Sequence, residues 1–434
     1  MGKNDDPNLD CLIILVGTNP LPVYVSAMAM AGESTQIFLL HSKETSEFSS
    51  NIKKELSIKL LDKNIVEHEI TASEPSNIRE KINCILDPID NEAKVAVNYT
   101  GGTKPMAAVA YHTIKEKFPN AYFTYLDAKS LSLIIEQKMQ ANDETIPLSD
   151  RLSLEFSSLL ALHGYEILIN EKNNVPIHVD TCQEIVSHLV SNSNAWRDWC
   201  DRNIRRMKPL PDGWKSELRK HLPLAKEISE ETFDSAEDFL LWSGSDELQS
   251  EGRLKKIVIP SNFTFSNIFY SIKPYREDCT LGEFIDKDNF KNAGQLAKFL
   301  DGGWLEHYTL YSLKKESGIL EAMINIESKH PNPHTFELDV VAMKGYQLFV
   351  ISCTTSSERG LNKSKLFEAF ARSRQIGGEE ARFGIVSAYP AAASLENELR
   401  EQWQSETAIK VFGLDHLPNL SKHLAEWINN ESGK

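Results

Sequence analysis

Short apolar runs alternate with longer amphipathic stretches along the first third of the chain. Strands are predicted at Cys11–Val16, Gln36–His41, Lys94–Asn98 and Ala121–Leu126. Lys94–Asn98 in particular is a short β-branched and apolar run, as expected of a strand covered on both sides of a parallel sheet. Helices are predicted from the Gly17–Tyr24 turn through Ala31, and over Ser46–Leu61, Ser76–Leu86 and Met106–Lys117. Strands that alternate with helices predict a doubly wound α/β domain, a Rossmann-like parallel sheet.

Two of the strand-to-helix turns carry chemistry. Asn98-Tyr-Thr-Gly-Gly-Thr-Lys-Pro-Met106 follows one strand. Its glycines allow close backbone approach, Thr103 can cap a helix, Lys104 is cationic and Pro105 fits the first helical turn. Free N–H groups and the helix dipole at such a terminus favour an anion. Gly17-Thr-Asn-Pro-Leu-Pro22 leaves the first strand in the same way. Neither turn is a G-x-G-x-x-G dinucleotide fingerprint. A tight connection alone explains either turn, but two at one sheet edge point to a ligand.

Beyond residue 150 the pattern changes. Helices are predicted at Leu152–His163 and Ile177–Ser193, and Trp196 and Trp199 read as packing anchors. Ser229–Glu251, rich in serine and acidic residues, reads as a surface loop or domain connection. Near the other end, Gly302–Leu313 is predicted as a helix, Glu321–Ile326 as a strand, and Phe336–Met343 and Tyr346–Cys353 as a hairpin turning at Lys344-Gly345. Glu337 and Asp339 share a strand face, with Glu306 on the preceding helix. Carboxylates so placed can converge on a divalent cation that activates water for phosphodiester cleavage. Three units are therefore expected: 1–150, a connector with a small subdomain over 151–288, and 289–434.

Composition narrows the partners. The formal net charge is −15, which excludes indiscriminate coating of nucleic acid and leaves only local contacts. One basic segment, Asn362–Arg374, carries Lys363, Lys365, Arg372 and Arg374, although a solvated helix face explains these residues equally well. The six cysteines are scattered without Cys-x-x-Cys spacing, so buried reduced thiols are expected. No apolar run is long enough for a membrane span and the N-terminus has no secretory pattern, so a cytoplasmic protein without membrane contact is expected.

The two N-terminal turns together resemble the CRISPR-associated Rossmann-fold (CARF) sensor domain. That resemblance implies a receptor for cyclic oligoadenylate, of tetra- or hexa-adenylate ring size, bound across a homodimer. By motif position it implies ligand contacts from Gly17, Thr18, Asn19, Pro20, Asn98, Thr100, Gly101, Gly102, Thr103 and Lys104, with Ser42 and Thr45 also within reach.

Gly-Gly-Trp-Leu-Glu306, Phe-Glu-Leu-Asp339-Val-Val and the apolar strand after them resemble the PD-(D/E)xK nuclease fold, a restriction-endonuclease-like α/β domain, as attached to CARF sensors. The resemblance implies Glu306 and Asp339 as ligands of Mn or Mg. This chain departs from the family where Glu-Cys-Lys usually stands, having Ser352-Cys353-Thr354. Three readings follow. Lys365 or Lys363 replaces the lysine, with Glu337 or Glu368 completing the metal shell; or Asp339, Glu306 and the Cys353 carbonyl hold the metal; or the domain is inactive. The first is favoured because Glu306 and Asp339 persist and the basic segment follows directly. The implied activity is a ring-activated, metal-dependent nuclease of type III CRISPR antiviral defence, cutting single-stranded RNA or DNA or nicking duplex DNA. The alternative is a catalytically inactive, ligand-gated binding or regulatory protein.

Overall fold

The computed structural model describes residues 9–60, 64–136, 143–167, 171–191, 196, 200, 298–316, 319, 321–329, 336–403 and 409–429. The expected loop at Ser229–Glu251, Trp199, Cys279 and most of the expected middle unit lie outside them.

The N-terminal α/β layer is built from β1 (Cys11–Leu15), α1 (Leu21–Met30), β2 (Gln36–His41), α2 (Ser46–Lys59), β3 (Ile65–Glu69), α3 (Pro75–Leu86), β4 (Val95–Asn98), α4 (Lys104–Lys117) and β5 (Tyr122–Asp127). β6 (Ser132–Glu136) and β7 (Glu144–Pro147) extend it. The sheet order is β3-β2-β1-β4-β5-β6-β7. Pairing is parallel from β3 to β5 and antiparallel beyond. β1 and β4 are fully buried, and helices cover both faces. Strand order reverses between β1 and β4, and the crevice at the carboxyl ends of such a strand pair is where open α/β sheets bind ligands. The Gly17 and Gly101 turns leave those two strands. β3 was not anticipated, because Ile-Val-Glu-His-Glu at an edge has polar positions where a central strand has apolar ones.

The second sheet has the order β13-β12-β11-β10-β9-β8. Its strands are β8 (Glu166–Ile167), β9 (Glu321–Lys329), β10 (Phe336–Lys344), β11 (Gln347–Thr354), β12 (Arg382–Ser387) and β13 (Ile409–Phe412). One face packs on α6 (Val179–Ser191), α7 (Trp304–Glu316) and α10 (Leu420–Asn429), where Leu305, Leu310 and Leu424 meet Val340, Phe349 and Ile351. The other face packs on α5 (Phe156–Leu162), α8 (Arg359–Gly377) and α9 (Ala392–Trp403), where Leu366 and Leu395 meet Val341, Leu348 and Val350. Thus α5, β8 and α6, expected in a connector, pack into the second α/β layer.

The two layers share a core. Leu126, Leu133 and Leu148 are continuous with Phe156, Leu159 and Leu160 of α5 and with Leu348 of β11. A polar contact reinforces this seam, with Leu154 N donating to Gly345 O at 3.0 Å, and within the second layer His163 Nε2 lies 2.8 Å from Ile376 O. Burial lowers the His163 pKa to about 4, so its ring is neutral. At the end of α8, Gly378 (φ +64°) stands directly against the Asn19 side chain. One expectation is corrected here: Cys84 is exposed, because it falls on the outward side of α3, while Cys11, Cys182, Cys200 and Cys353 are buried.

Candidate functional sites

The first site is the meeting of the two N-terminal turns. A Cβ at Gly101 would stand 2.2 Å from Leu15 O, and one at Gly17 would stand 3.0 Å from Gly102 N. Both turns are therefore pressed backbone to backbone, a packing open only to glycine. Thr103 caps α4, its Oγ1 accepting from Met106 N at 3.4 Å. Asn19 Oδ1 accepts from Leu21 N at 3.2 Å at the start of α1. Neither helix has an acidic residue in its first turn, so both positive ends face the same edge. Thr18, Gly102, Thr103 and Lys104 are exposed there, while Pro20 is buried.

Ser42 and Thr45, expected within reach of the ligand, lie beside this edge but are buried and bonded to each other and to the β1 turn. Ser42 N donates to Thr45 Oγ1 at 3.0 Å, and Thr45 Oγ1 donates to Val16 O at 3.4 Å. Asn98 and Thr100 have a different disposition from the exposed residues. Asn98 is fully buried, with Nδ2 donating to Thr124 Oγ1 at 3.1 Å and Oδ1 accepting from Thr100 N at 3.2 Å. Thr100 Oγ1 accepts from Leu126 N at 2.7 Å. Their side chains brace the turn from beneath.

The second site lies in the C-terminal layer, around Asp339. The β10–β11 ladder ends at Val340↔Ile351, and the strands part beyond it. Asp339 sits at this parting. Its Oδ2 accepts from Ser352 Oγ at 2.7 Å, Cys353 N at 2.8 Å and Lys365 Nζ at 3.3 Å. Ser352, which stands where a family carboxylate was expected, thus serves as a hydrogen-bond donor to the remaining one. Lys365 reaches Asp339 from α8, and Glu306 approaches from α7 on the opposite side of the sheet. Burial, then the charge of Asp339, pushes the Glu306 carboxyl up to about 8. Burial alone would lower Lys365, but the charge and hydrogen bond of Asp339 outweigh it and raise its pKa.

A pocket of about 180 Å³ opens here, lined by Glu337, Asp339, Ser352, Lys365, Glu368 and Arg372 among others. Arg372 lies over the Phe336 ring at 5.1 Å. Lys363 is not part of it. Two residues along a helix differ by about 200° around its axis, and Lys363 pairs with Glu398 instead. The contact of Cys353 with Asp339 is through its N–H; its thiol is buried beside Thr309 at 3.6 Å, and burial holds it well above the usual thiol range.

The donor set suits a hard divalent cation of the Mg or Mn type. Among the described residues, the hydrogen bonds of Asp339 fall on Oδ2, and Glu306, which does not line the pocket, lies near enough for the Asp339 charge to add to the burial that raises its carboxyl. No group of three or more potential His, Cys, Asp or Glu ligands gathers among the described residues. Two carboxylates remain, and Mg²⁺ commonly takes one or two carboxylates together with substrate phosphate and water.

Likenesses to solved structures extend over nearly the whole chain. Protein VC1899 from Vibrio cholerae superimposes with a TM-score of 0.65 at 16% identity, covering 98% of this chain and 99% of that one. Can2 from Sulfobacillus thermosulfidooxidans, solved in complex with cyclic tetra-adenylate, gives 0.61 at 17% identity, with 97% of each chain covered. At these identities the likeness establishes the fold. No curated protein matches in sequence. No helix among the described residues is long and apolar enough to cross a membrane. Residues 12–155 match the Card1 CARF domain, and residues 294–431 match the Card1-like endonuclease domain. The two turns at the β1/β4 switch point fall within the first match and the Asp339 site within the second, so the chain carries a Card1-type CARF domain followed by a Card1-like endonuclease domain.

Proposed function

We propose that the protein is a metal-dependent endonuclease of type III CRISPR antiviral defence, switched on by a cyclic oligoadenylate bound at the CARF turns. The observation that carries the reading is the convergence on Asp339 of Glu306 from α7 and of Lys365 from α8, 3.3 Å away. Lys365 takes the place of the lysine missing at Thr354.

Glu306 and Asp339 would hold a Mn or Mg ion, which polarises a phosphate oxygen and lowers the pKa of bound water. Ser352 Oγ and Cys353 N fix one oxygen of Asp339 and leave the other for the cation. Lys365 supplies positive charge where negative charge develops on the phosphate. Arg372, on the same helix as Lys365 and held over the Phe336 ring of β10, provides a further cation for the backbone of a single-stranded RNA or DNA or of a duplex to be nicked.

Activation rests on the seam. Asn19 belongs to the ligand turn and also touches Gly378, at the end of the helix that carries Lys365. A ring such as cyclic tetra-adenylate, which Can2 binds, or cyclic hexa-adenylate, bound across a homodimer, would bias the placement of α8. This is allostery only insofar as the ring binds the two arrangements with different affinity.

The test is cleavage of labelled single-stranded RNA, single-stranded DNA and supercoiled plasmid, with Mn²⁺ or Mg²⁺ and with either ring. Cutting that needs ring and metal, and that Asp339→Ala abolishes, is expected. Ring binding without cleavage would select the inactive regulatory reading, for which the loss of a carboxylate at Ser352 speaks.

A further inference from the structure

β9 and β10 do not run as an unbroken ladder. Leu338↔Ile326 and Val340↔Ile324 pair, but Asp339 and Asn325 between them do not. Asn325 has φ +53°, in the left-handed region, which asparagine tolerates better than most residues. Both strands change their alternation at this point. On β10, Phe336 and Leu338 face the α8 core, and so do Val341 and Met343, while Val340 and Ala342 face the α7 core. On β9, Met323 and Ile326 face one core and Ala322 and Ile324 the other.

The consequence concerns Asp339. Side chains of a regular strand alternate, so the phase of Val341 and Met343 would place Asp339 in the apolar core on the α8 face, and the phase of Phe336 and Leu338 would place it in the apolar core on the α7 face. An uncompensated carboxylate there is strongly unfavourable. The break turns it instead into the gap where Ser352, Cys353 and Lys365 reach it.

Something must hold a ladder open. Asn173, in the short helix Glu171–Asn174, donates its Nδ2 to Ile324 O at 2.7 Å and to Asn325 O at 3.1 Å. The next carbonyl, Asn174 O, accepts from Lys314 Nζ on α7, the helix that carries Glu306. We propose that Asn173 and Asn325 are positioning residues of the nuclease site: Asn173 clamps the two carbonyls at the break, the left-handed Asn325 makes the break, and together they set where Asp339 meets Glu306 and Lys365. The inference rests on the reading of Asp339 as a metal ligand.

The full-length protein tests it with four variants: Asn173→Ala, Asn325→Gly, Asn325→Val and Asp339→Ala. Each is measured by calorimetric Mn²⁺ titration, ring-activated cleavage resolved into kcat and KM, and thermal midpoint. Asn173→Ala and Asn325→Val are expected to weaken Mn²⁺ binding and lower kcat by tenfold or more, with cyclic-ring affinity unchanged. Asn325→Gly, which keeps the left-handed backbone, is expected to stay within about twofold of the parent. Normal Mn²⁺ binding and kcat in both Asn173→Ala and Asn325→Val would overturn the inference, as would equal damage from Gly and Val at 325. Should either damaging variant fold poorly, the contrast between Gly and Val at matched folded fraction still decides it. If Asp339→Ala itself leaves Mn²⁺ binding intact, the metal reading has failed; if only Asp339→Ala matters, the positioning inference alone has.

Discussion

Gly378→Ala probes the seam between ligand turn and nuclease helix with a single methyl group. Gly378 has φ +64° and ψ −153°, a region essentially reserved for glycine and costing other residues about 1–3 kcal/mol. The new Cβ would also stand 2.0 Å from Asn19 Nδ2 and 2.7 Å from Glu380 Oε2. Glu380 has little room to yield, being 3% exposed. Together these place the cost near the upper end, about 2–3 kcal/mol, or roughly 5–10 °C in the melting temperature of a domain of this size. Asn19→Gly alone loses the hydrogen bond that its Oδ1 accepts from Leu21 N, worth about 0.5–1.5 kcal/mol. In the double variant the methyl no longer meets the amide, so the two losses should add to less than their sum by about 1 kcal/mol. Denaturant unfolding of the four proteins gives this coupling directly, and the ring concentration needed for half-maximal cleavage gives its functional counterpart. Gly378→Ala is expected to require more ring at unchanged intrinsic metal affinity. Additivity within about 0.5 kcal/mol, with an unaltered activation curve, would refute the idea that Asn19 and Gly378 join the two sites.

Further predictions concern the two sites themselves. Lys365→Met should abolish cleavage while Lys363→Met, which loses only the pair with Glu398, should retain most of it; equal effects would reject the assignment of Lys365. Because burial and Asp339 raise the folded Glu306 pKa from 4.5 to about 8, the folded metal-free protein holds a proton that the unfolded chain releases. Its stabilising contribution is present below 4.5 and is lost as the pH rises through about 8. Mn²⁺ must displace that proton, so affinity should fall about tenfold per pH unit below 8; calorimetry in two buffers of different ionisation enthalpy counts the proton, and a flat profile would refute the coupling. Gly101→Ala, whose methyl would meet Leu15 O at 2.2 Å, should separate the two turns and eliminate ring binding in a filter-binding assay, while Lys104→Ala should weaken it without lowering the melting temperature.

Local chemistry and tertiary placement divide cleanly in this protein. The central strands, the helices after them and the two glycine turns are written in contiguous residues, because burial on both faces demands apolar runs and close backbone approach demands glycine. The placing of Glu306 on a helix and of Asp339 on a hairpin strand was also legible, since each lies inside a short contiguous pattern. The polar edge strand β3 was not, and neither were β12 and β13, whose membership of the sheet depends on neighbours distant in the chain. Nor could the sequence choose between Lys363 and Lys365: both lie on one helix, and only the packing of Leu366 and Ala369 against β11 decides which face meets the sheet. The role of Ser352 follows from the parting of β10 and β11, and that of Asn173 from its reach across about 150 residues of chain to Ile324. A sequence specifies which groups are available and which local backbone they favour. Which of them share a few ångströms is decided by how the layers stack, since helix rotation and strand phase are set by the summed burial of many side chains and by no single motif.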